Sequence, residues 1–421
     1  MSPFQQRLAF LHMSSDEQWM TQALELAAQG TALASPNPLV GALLVKGDQI
    51  LGQGCYTYEG KKHAEVKALE QAGDAARGAT LFINLEPCCH VGRTGPCTTA
   101  IISAGVKRVV AAMRDPNPLV SGQGFEQLRK AGTEVEAGLC REQAERLNEG
   151  FARHISTGLP LITLKSAMTL DGKIAAPDDN SGWITSDEAR SYVQKQRHAH
   201  DAILTGIGTV VADDPLLTDR SGLPRRRPLL RVVMDSRLRI PLDSRMLAKV
   251  EGDVLIFCSS STCSGIRSSP DSARRRELER RGVEVCVVEA NSEDCESALI
   301  ALEGKERVGS RKKSDDDSPL RPDLRQVIKE LGRREITSVL VEAGSELNWA
   351  ILQADLVDKV FLYYAPKILG GVDALPMAGG SGIRAMRDAL TVNKIRLHQF
   401  GPDFAVQGYL HDVYRAVTSD E

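Results

Sequence analysis

His63-Ala64-Glu65, followed by Glu86-Pro87-Cys88 and then Cys97, puts a histidine, a carboxylate and two thiols within the first hundred residues of the chain. A histidine and two thiols give three protein ligands for one metal ion. That is one fewer than a closed structural zinc site uses, and it leaves a position for water. Glu65 follows His63 by two residues, and residues i and i+2 lie about 200° apart on a regular helix. His63 is therefore expected at a helix entry with Glu65 just inside it. A closed site with Cys89 or His90 as fourth ligand is the competing reading, and Glu65 argues against it.

Such a set suits hydrolysis. Zinc draws the pKa of a bound water toward about 7, and a neighbouring carboxylate can take the water's proton and return it to a departing amine. The short signature for that chemistry is His-x-Glu followed by Pro-Cys-x-x-Cys. Here Cys88 and Cys97 are nine apart, and Val91 stands where the second thiol would fall.

The whole composition is that of ordinary globular material. With 421 residues, 42% hydrophobic and 25% charged, the chain has room for two or three domains at roughly 100–200 residues each. A net charge of -3 and 5% aromatic residues give no footprint for nucleic acid, which favours a basic stripe. Nine scattered cysteines do not resemble a secreted disulfide framework. No apolar run of about 18 residues or confident signal peptide is present. A soluble, cytoplasmic protein with a small-molecule substrate is expected, with no nucleic-acid or membrane partner.

Along the chain, Ser14 and Glu17 have capping-box spacing and open a helix that stops at Gly30. Leu39–Val45 and Gln49–Gly54 read as a hairpin. The helix after His63 ends near Gly73, and strands at 80–85, 107–113 and 134–136 then alternate with helices at 97–104 and 125–131. This is an α/β unit over 14–150. The remaining cysteines, Cys55, Cys140, Cys258, Cys263, Cys286 and Cys295, are expected to be core hydrophobes.

The run Ser35-Pro36-Asn37-Pro38 to Val40-Gly41, His63-Ala64-Glu65-Val66, and Glu86-Pro87-Cys88-Cys89-His90-Val91-Gly92-Arg93-Thr94-Gly95-Pro96-Cys97 closely resembles the deaminase half of the bifunctional riboflavin-biosynthesis deaminase-reductases, whose thiol spacing is also nine. The resemblance implies a cytidine-deaminase-like α/β/α domain with zinc on His63, Cys88 and Cys97. It also implies proton transfer by Glu65 and substrate contacts from Asn37, His90 and Arg93. Two departures are visible: Tyr56 stands where that family usually has histidine, and its Pro-Pro-Cys is Gly95-Pro96-Cys97 here.

Beyond a helix around Glu145–Leu147 that bridges to Pro160, the pattern restarts with the strand Leu161–Lys165. A second domain is expected over 160–417. Its helix Asp187–His198 leads to the strand Ala202–Thr205 and a glycine turn, Gly206-Ile207-Gly208-Thr209. Alone this turn is weak evidence for a dinucleotide, because Val211 occupies the place where the Rossmann fingerprint wants Gly or Ala. Val232–Ser236 and Val339–Asn348 are further strand ends, the second breaking into a turn and helix whose N-terminus favours phosphate. Strands are also expected at Arg333–Val341 and Lys359–Tyr364. The polar run within 303–323 cannot bury a core and reads as a flexible insertion.

These landmarks resemble the reductase half of the same family. The resemblance implies a dihydrofolate-reductase-like α/β fold and NADPH held by Ala167, Trp183, Thr209, Asp213, Ser236 and the turn Gly344, Ser345, Glu346, Leu347, Asn348, Trp349 and Ala350. It places substrate at Ser181, Arg197, Leu217, Arg220 and Glu342, with Lys165 and Asp213 as the catalytic polar groups near the sugar. Arg197 and Arg220 suit a phosphorylated sugar because guanidinium binds phosphate bidentately; surface salt bridges are the plain alternative. The expected protein is an enzyme acting twice on one phosphorylated pyrimidine, as a homo-oligomer, dimer or tetramer. Two other readings compete. A nucleoside or tRNA-base deaminase should carry a basic or aromatic surface, and a degenerate zinc-binding module should lack Glu65.

Overall fold

The structure, a computed structural model, describes residues 14–90, 95–118, 120–178, 182–259, 272–290 and 321–414, and the chain divides into two compact units. The first opens with the helix Ser15–Ala28. Ser14 Oγ accepts from the Glu17 amide at 3.3 Å, and the Ser14 amide donates to Glu17 Oε2 at 2.8 Å, completing the capping box. The hairpin follows as β1 (Gly41–Lys46) and β2 (Gln49–Cys55), turning at Gly47 with φ +58°. β3 (Thr80–Ile83), β4 (Arg108–Ala111) and β5 (Glu134–Ala137) complete a sheet of order β2-β1-β3-β4-β5, parallel from β3 onward.

Glycines decide how closely helices approach this sheet. A Cβ at Gly41 would lie 2.1 Å from Ala23 O, so the helix Ser15–Ala28 covers that face of β1. Gly54 pairs with Ala42, on the opposite face by strand alternation. There a Cβ at Gly52 or Gly54 would lie 2.1 Å from the carbonyl of Ala68 or Ala64. The helix Ala64–Ala72 is thus seated directly on β2, giving the α/β/α sandwich and burying Gly41–Val45 on both sides. Gly54→Ala is expected to cost about 1–3 kcal/mol through overpacking and to lower bound metal per chain. The displaced end of the helix is the one that carries His63 and Glu65. Urea unfolding with metal analysis checks both effects.

The second unit holds β6 (Leu161–Thr169), β7 (Lys173–Ala175), β8 (Ala202–Gly206), β9 (Leu230–Met234), β10 (Val254–Ser259), β11 (Glu284–Val288), β12 (Ser338–Val341), β13 (Lys359–Ala365), β14 (Leu375–Pro376), β15 (Asn393–Phe400) and β16 (Asp403–Tyr409). Its nine-stranded sheet runs β11-β10-β9-β8-β12-β6-β13-β16-β15. Strands β11 to β13 are parallel, and the β15–β16 hairpin joins antiparallel at one edge. The central strands β10 and β12 are buried along their whole length, as parallel strands covered on both faces must be.

Several expected elements change. The strand expected from Arg333 begins only at Ser338, because Arg333 ends a helix, Leu324–Arg333. Asp323 caps that helix, and Val327, Ile328 and Leu331 form its buried stripe. The intervening Arg334 and Glu335 are charged, and Glu335 has φ +57°, so the backbone turns there. The bridge to Pro160 is two helices, Arg141–Leu147 and Glu149–Thr157, meeting at Asn148. The hairpin β15–β16 and the strands β10 and β11 add to the expected elements. Of the expected insertion, residues 303–320 lie outside the described residues. Among the described residues the cysteines are free thiols, and no helix is long and apolar enough to cross a membrane.

Candidate active sites

In the first unit, His63 is the N-cap of the helix Ala64–Ala72, with extended backbone (φ -65°, ψ 156°), and Glu65 lies in the first turn, 3% exposed. This is the arrangement the two-residue spacing predicts. Cys97 begins the helix Cys97–Ser103 and is fully buried. His63 Nδ1 lies 3.1 Å from Cys97 Sγ and 3.5 Å from Cys88 Sγ, and the Cys97 amide points at Cys88 Sγ at 3.5 Å. The three ligand atoms all fall within 4.8 Å of one another. One imidazole nitrogen and two sulphurs make a donor set that suits zinc, with three protein ligands as in an open site. Hydrogen bonding between the two thiols pulls the Cys88 thiol down and pushes the Cys97 thiol up, so Cys88 is the readier thiolate of the pair. Burial pushes the Glu65 carboxyl up.

The supports of this site were mostly invisible in the sequence. Glu86, 3% exposed, accepts four backbone amides: Asp115 (3.1 Å), Gly122 (2.9 Å), Gly124 (2.9 Å) and Phe125 (3.2 Å). It fixes the segment carrying Cys88 against the N-terminus of the helix Gln123–Lys130. The only hint in the sequence is the turn motif Asp115-Pro116-Asn117-Pro118 ahead of Gly122. Asp115 is buried, and burial raises its carboxyl to about 6. The turn with Asn37 is anchored at Leu39, whose amide donates to Asn148 Oδ1 and whose carbonyl accepts from Asn84 Nδ2, both at 2.8 Å. Asn37 Nδ2 donates to the Tyr56 hydroxyl at 2.5 Å. His90 is exposed, and Arg93 lies outside the described residues.

In the second unit the named residues gather at the carboxyl ends of adjacent strands, where ligands bind in open α/β sheets. Ala167 is on β6, Thr209 follows β8, Ser236 follows β9, and Glu342 and Gly344 follow β12. Gly206 and Gly344 are N-caps without a capping side chain. A Cβ at Gly344 would lie 3.6 Å from Thr209 Oγ1, and one at Gly206 would lie 3.4 Å from Leu347 Cδ2, so the two turns abut. Ser345 is 7% exposed at the start of the helix Ser345–Gln353, and its Oγ has no partner among the described residues. A buried hydroxyl awaiting a partner at a helix N-terminus fits a phosphate-bearing cofactor. Glu346 and Asp213 are exposed. Asn348 is fully buried and donates to Met377 O at 2.8 Å, and a Cβ at Gly380 would lie 2.5 Å from the Trp349 ring. Ala350 is in the next turn. Trp183 is 70% exposed, with the Arg190 guanidinium 4.7 Å over its ring.

Three charged residues form a largely buried network. Glu342 accepts from Arg197 Nε at 2.8 Å and Nη2 at 3.0 Å, and from Lys165 Nζ at 3.3 Å. Arg197 Nη1 also donates to Thr218 O at 3.1 Å. Burial pushes the Glu342 carboxyl up, but the two cations outweigh it and hold it at about 2. Arg197 is therefore no surface ion pair, and much of its guanidinium is engaged inside the protein. Arg220 is exposed, with its amide held by Gln194 Oε1 at 3.1 Å. Leu217 is 4% exposed in the core with φ +50°. Ser181 lies outside the described residues.

Comparisons with known proteins agree with both halves. Residues 13–113 match the cytidine and deoxycytidylate deaminase zinc-binding region, and residues 160–406 match the RibD C-terminal domain. The chain is 38% identical over 399 residues to riboflavin biosynthesis protein RibD of Escherichia coli, covering 92% of this chain and 97% of that one. Its structure is similar to Acinetobacter baumannii RibD (TM-score 0.75, 36% identity, covering 94% of this chain and 98% of that one). It is also similar to a Thermotoga maritima diaminohydroxyphosphoribosylaminopyrimidine deaminase/5-amino-6-(5-phosphoribosylamino)uracil reductase (TM-score 0.72, 32% identity, with the same coverage). The cytidine-deaminase-like unit carries the zinc site, and the dihydrofolate-reductase-like unit uses NADPH. The chain belongs to the RibD family, the bifunctional deaminase-reductases of riboflavin biosynthesis.

Proposed function

We propose that residues 14–150 hydrolytically deaminate 2,5-diamino-6-(5-phosphoribosylamino)pyrimidin-4-one and that residues 160–417 reduce the ribosyl group of the product to a ribityl chain. The observation that carries this reading is the cluster of one imidazole and two sulphurs beside a buried carboxylate, joined in one chain to a reductase unit. The two activities named for the Thermotoga relative support the order, since its reductase acts on the uracil, the deaminated ring.

His63, Cys88 and Cys97 would hold zinc, which when bound supplies a Lewis acid that makes water a nucleophile near neutral pH. Glu65 accepts the proton of the attacking water and delivers it to the ring amine, which leaves as ammonia. Asn37, His90 and Arg93 contact the substrate. In the second unit Ala167, Trp183, Thr209, Asp213, Ser236 and the turn 344–350 hold NADPH, which supplies hydride, the protein's part being orientation. Lys165 and Asp213 place polar groups at the sugar. Arg197 fixes Glu342, Arg220 offers the exposed guanidinium for phosphate, and Ser181 and Leu217 complete that subsite. We take the enzyme to be cytoplasmic and homo-oligomeric, dimer or tetramer. A net charge of -3 with 5% aromatic residues supports a small-molecule partner in place of nucleic acid.

Asp213→Asn is expected to slow NADPH oxidation by about 10²-fold or more while ammonia release continues, the range for a lost acid-base group. Unchanged NADPH oxidation would move that role to Lys165.

A further inference from the structure

Tyr56 has no part in either reaction as described above, yet its side chain is 5% exposed and makes two directed contacts. Its hydroxyl accepts from Asn37 Nδ2 at 2.5 Å. Its ring stands perpendicular to the His63 imidazole, with centroids 5.6 Å apart and planes at 87°, the edge-to-face arrangement aromatic rings prefer. One phenol thus touches both a substrate-contacting amide and a zinc-binding ring.

The backbone holds both ends of this bridge. The Tyr56 amide donates to Val40 O at 2.9 Å, at the entry to β1, and the Asn37 amide donates to Ala34 O at 3.0 Å. What the backbone does not fix is the Asn37 amide plane, because the terminal torsion of asparagine is broad and roughly two-fold. A partner for one side of the amide decides which side faces a ligand.

We propose that Tyr56 is a positioning residue for the deaminase. It occupies the donor side of the Asn37 amide, leaving Oδ1 to accept from an exocyclic amino group of a pyrimidine. Its ring backs His63 in the orientation that turns Nδ1 toward Cys88 and Cys97. The proposal rests on Asn37 being a substrate contact.

A double-mutant cycle tests it, with ammonia release, zinc content and thermal unfolding measured on the full chain. Tyr56→Phe keeps the ring and removes the hydroxyl. It is expected to raise KM about 3- to 10-fold, the range of one net hydrogen bond, with kcat, zinc content and melting temperature nearly unchanged. Asn37→Ala should raise KM at least as much, and adding Tyr56→Phe to it should change KM little further. Tyr56→Leu, which also removes the ring from His63, should in addition weaken zinc retention against a chelator by about tenfold.

If Asn37→Ala leaves KM and kcat unaltered, the reading of Asn37 fails, and the proposal with it. If Asn37→Ala raises KM but the two substitutions act additively, or Tyr56→Phe has no effect, Asn37 stands and the positioning role of Tyr56 is overturned. A loss of melting temperature in Tyr56→Phe that accounts for its whole activity loss would equally overturn it.

Discussion

Glu65→Gln is expected to lower ammonia release by about 10²- to 10⁴-fold, the range for removing a positioned general acid-base group, while zinc stays bound. Glutamine keeps the size of the side chain but cannot carry the proton. Glu86 cannot take over. Glu86 has both oxygens engaged by four backbone amides, and Asp115 Oδ1 accepts from the Asn117 amide at 2.9 Å. Because His63 is the N-cap and Glu65 sits one residue inside the helix, the substitution leaves the ligand backbone in place. Stopped-time ammonia assays with zinc analysis on the same preparation check this. Near wild-type ammonia release with zinc bound would remove Glu65 from the mechanism.

Glu342→Gln is expected to destabilise the second unit by about 3–5 kcal/mol, because it leaves one buried and one mostly buried cation short of their anion. Lys165 and Glu342 side chains are 14% and 11% exposed, and Arg197 is 10% exposed, so water compensates little. The same group sets a pH dependence. Its folded value of about 2 lies below the unfolded value of about 4.3. The stabilisation, roughly 3 kcal/mol by linkage, is therefore present above about pH 5 and lost as pH falls toward 2. Thermal unfolding of wild type and variant between pH 7 and pH 3 should show the gap between them narrowing with acid. NADPH oxidation should fall in the variant, and a gap independent of pH would contradict the charge network.

What the sequence revealed and what it hid follow a physical division. Contacts encoded by local spacing were legible: the Ser14–Glu17 capping box, the hairpin around Gly47, and His63 at the helix entry with Glu65 inside. The thiols Cys88 and Cys97 could be paired because a metal set restricts residue type and spacing at once. Contacts made across the fold could not. Nothing local tells Glu86 that it will meet amides 29 to 39 residues away, or tells Arg197 that its donors will be taken by Glu342, 145 residues on. The helix Leu324–Arg333 is hidden in the sequence because it emerges from a polar run and its stripe, Val327, Ile328 and Leu331, is short. The β15–β16 hairpin is hidden because β15 is largely exposed and alternates too weakly to stand out from the glycine loops before it.

Two separable sites on one chain are expected to act in sequence on one pyrimidine. The most direct measurement supplies the deaminated but unreduced pyrimidine to Glu65→Gln and follows NADPH consumption. NADPH oxidation at the wild-type rate is predicted on that compound, with no oxidation when the diaminopyrimidine is supplied instead. Loss of reduction on the deaminated compound, in a variant that still folds and binds zinc, would contradict two separable sites.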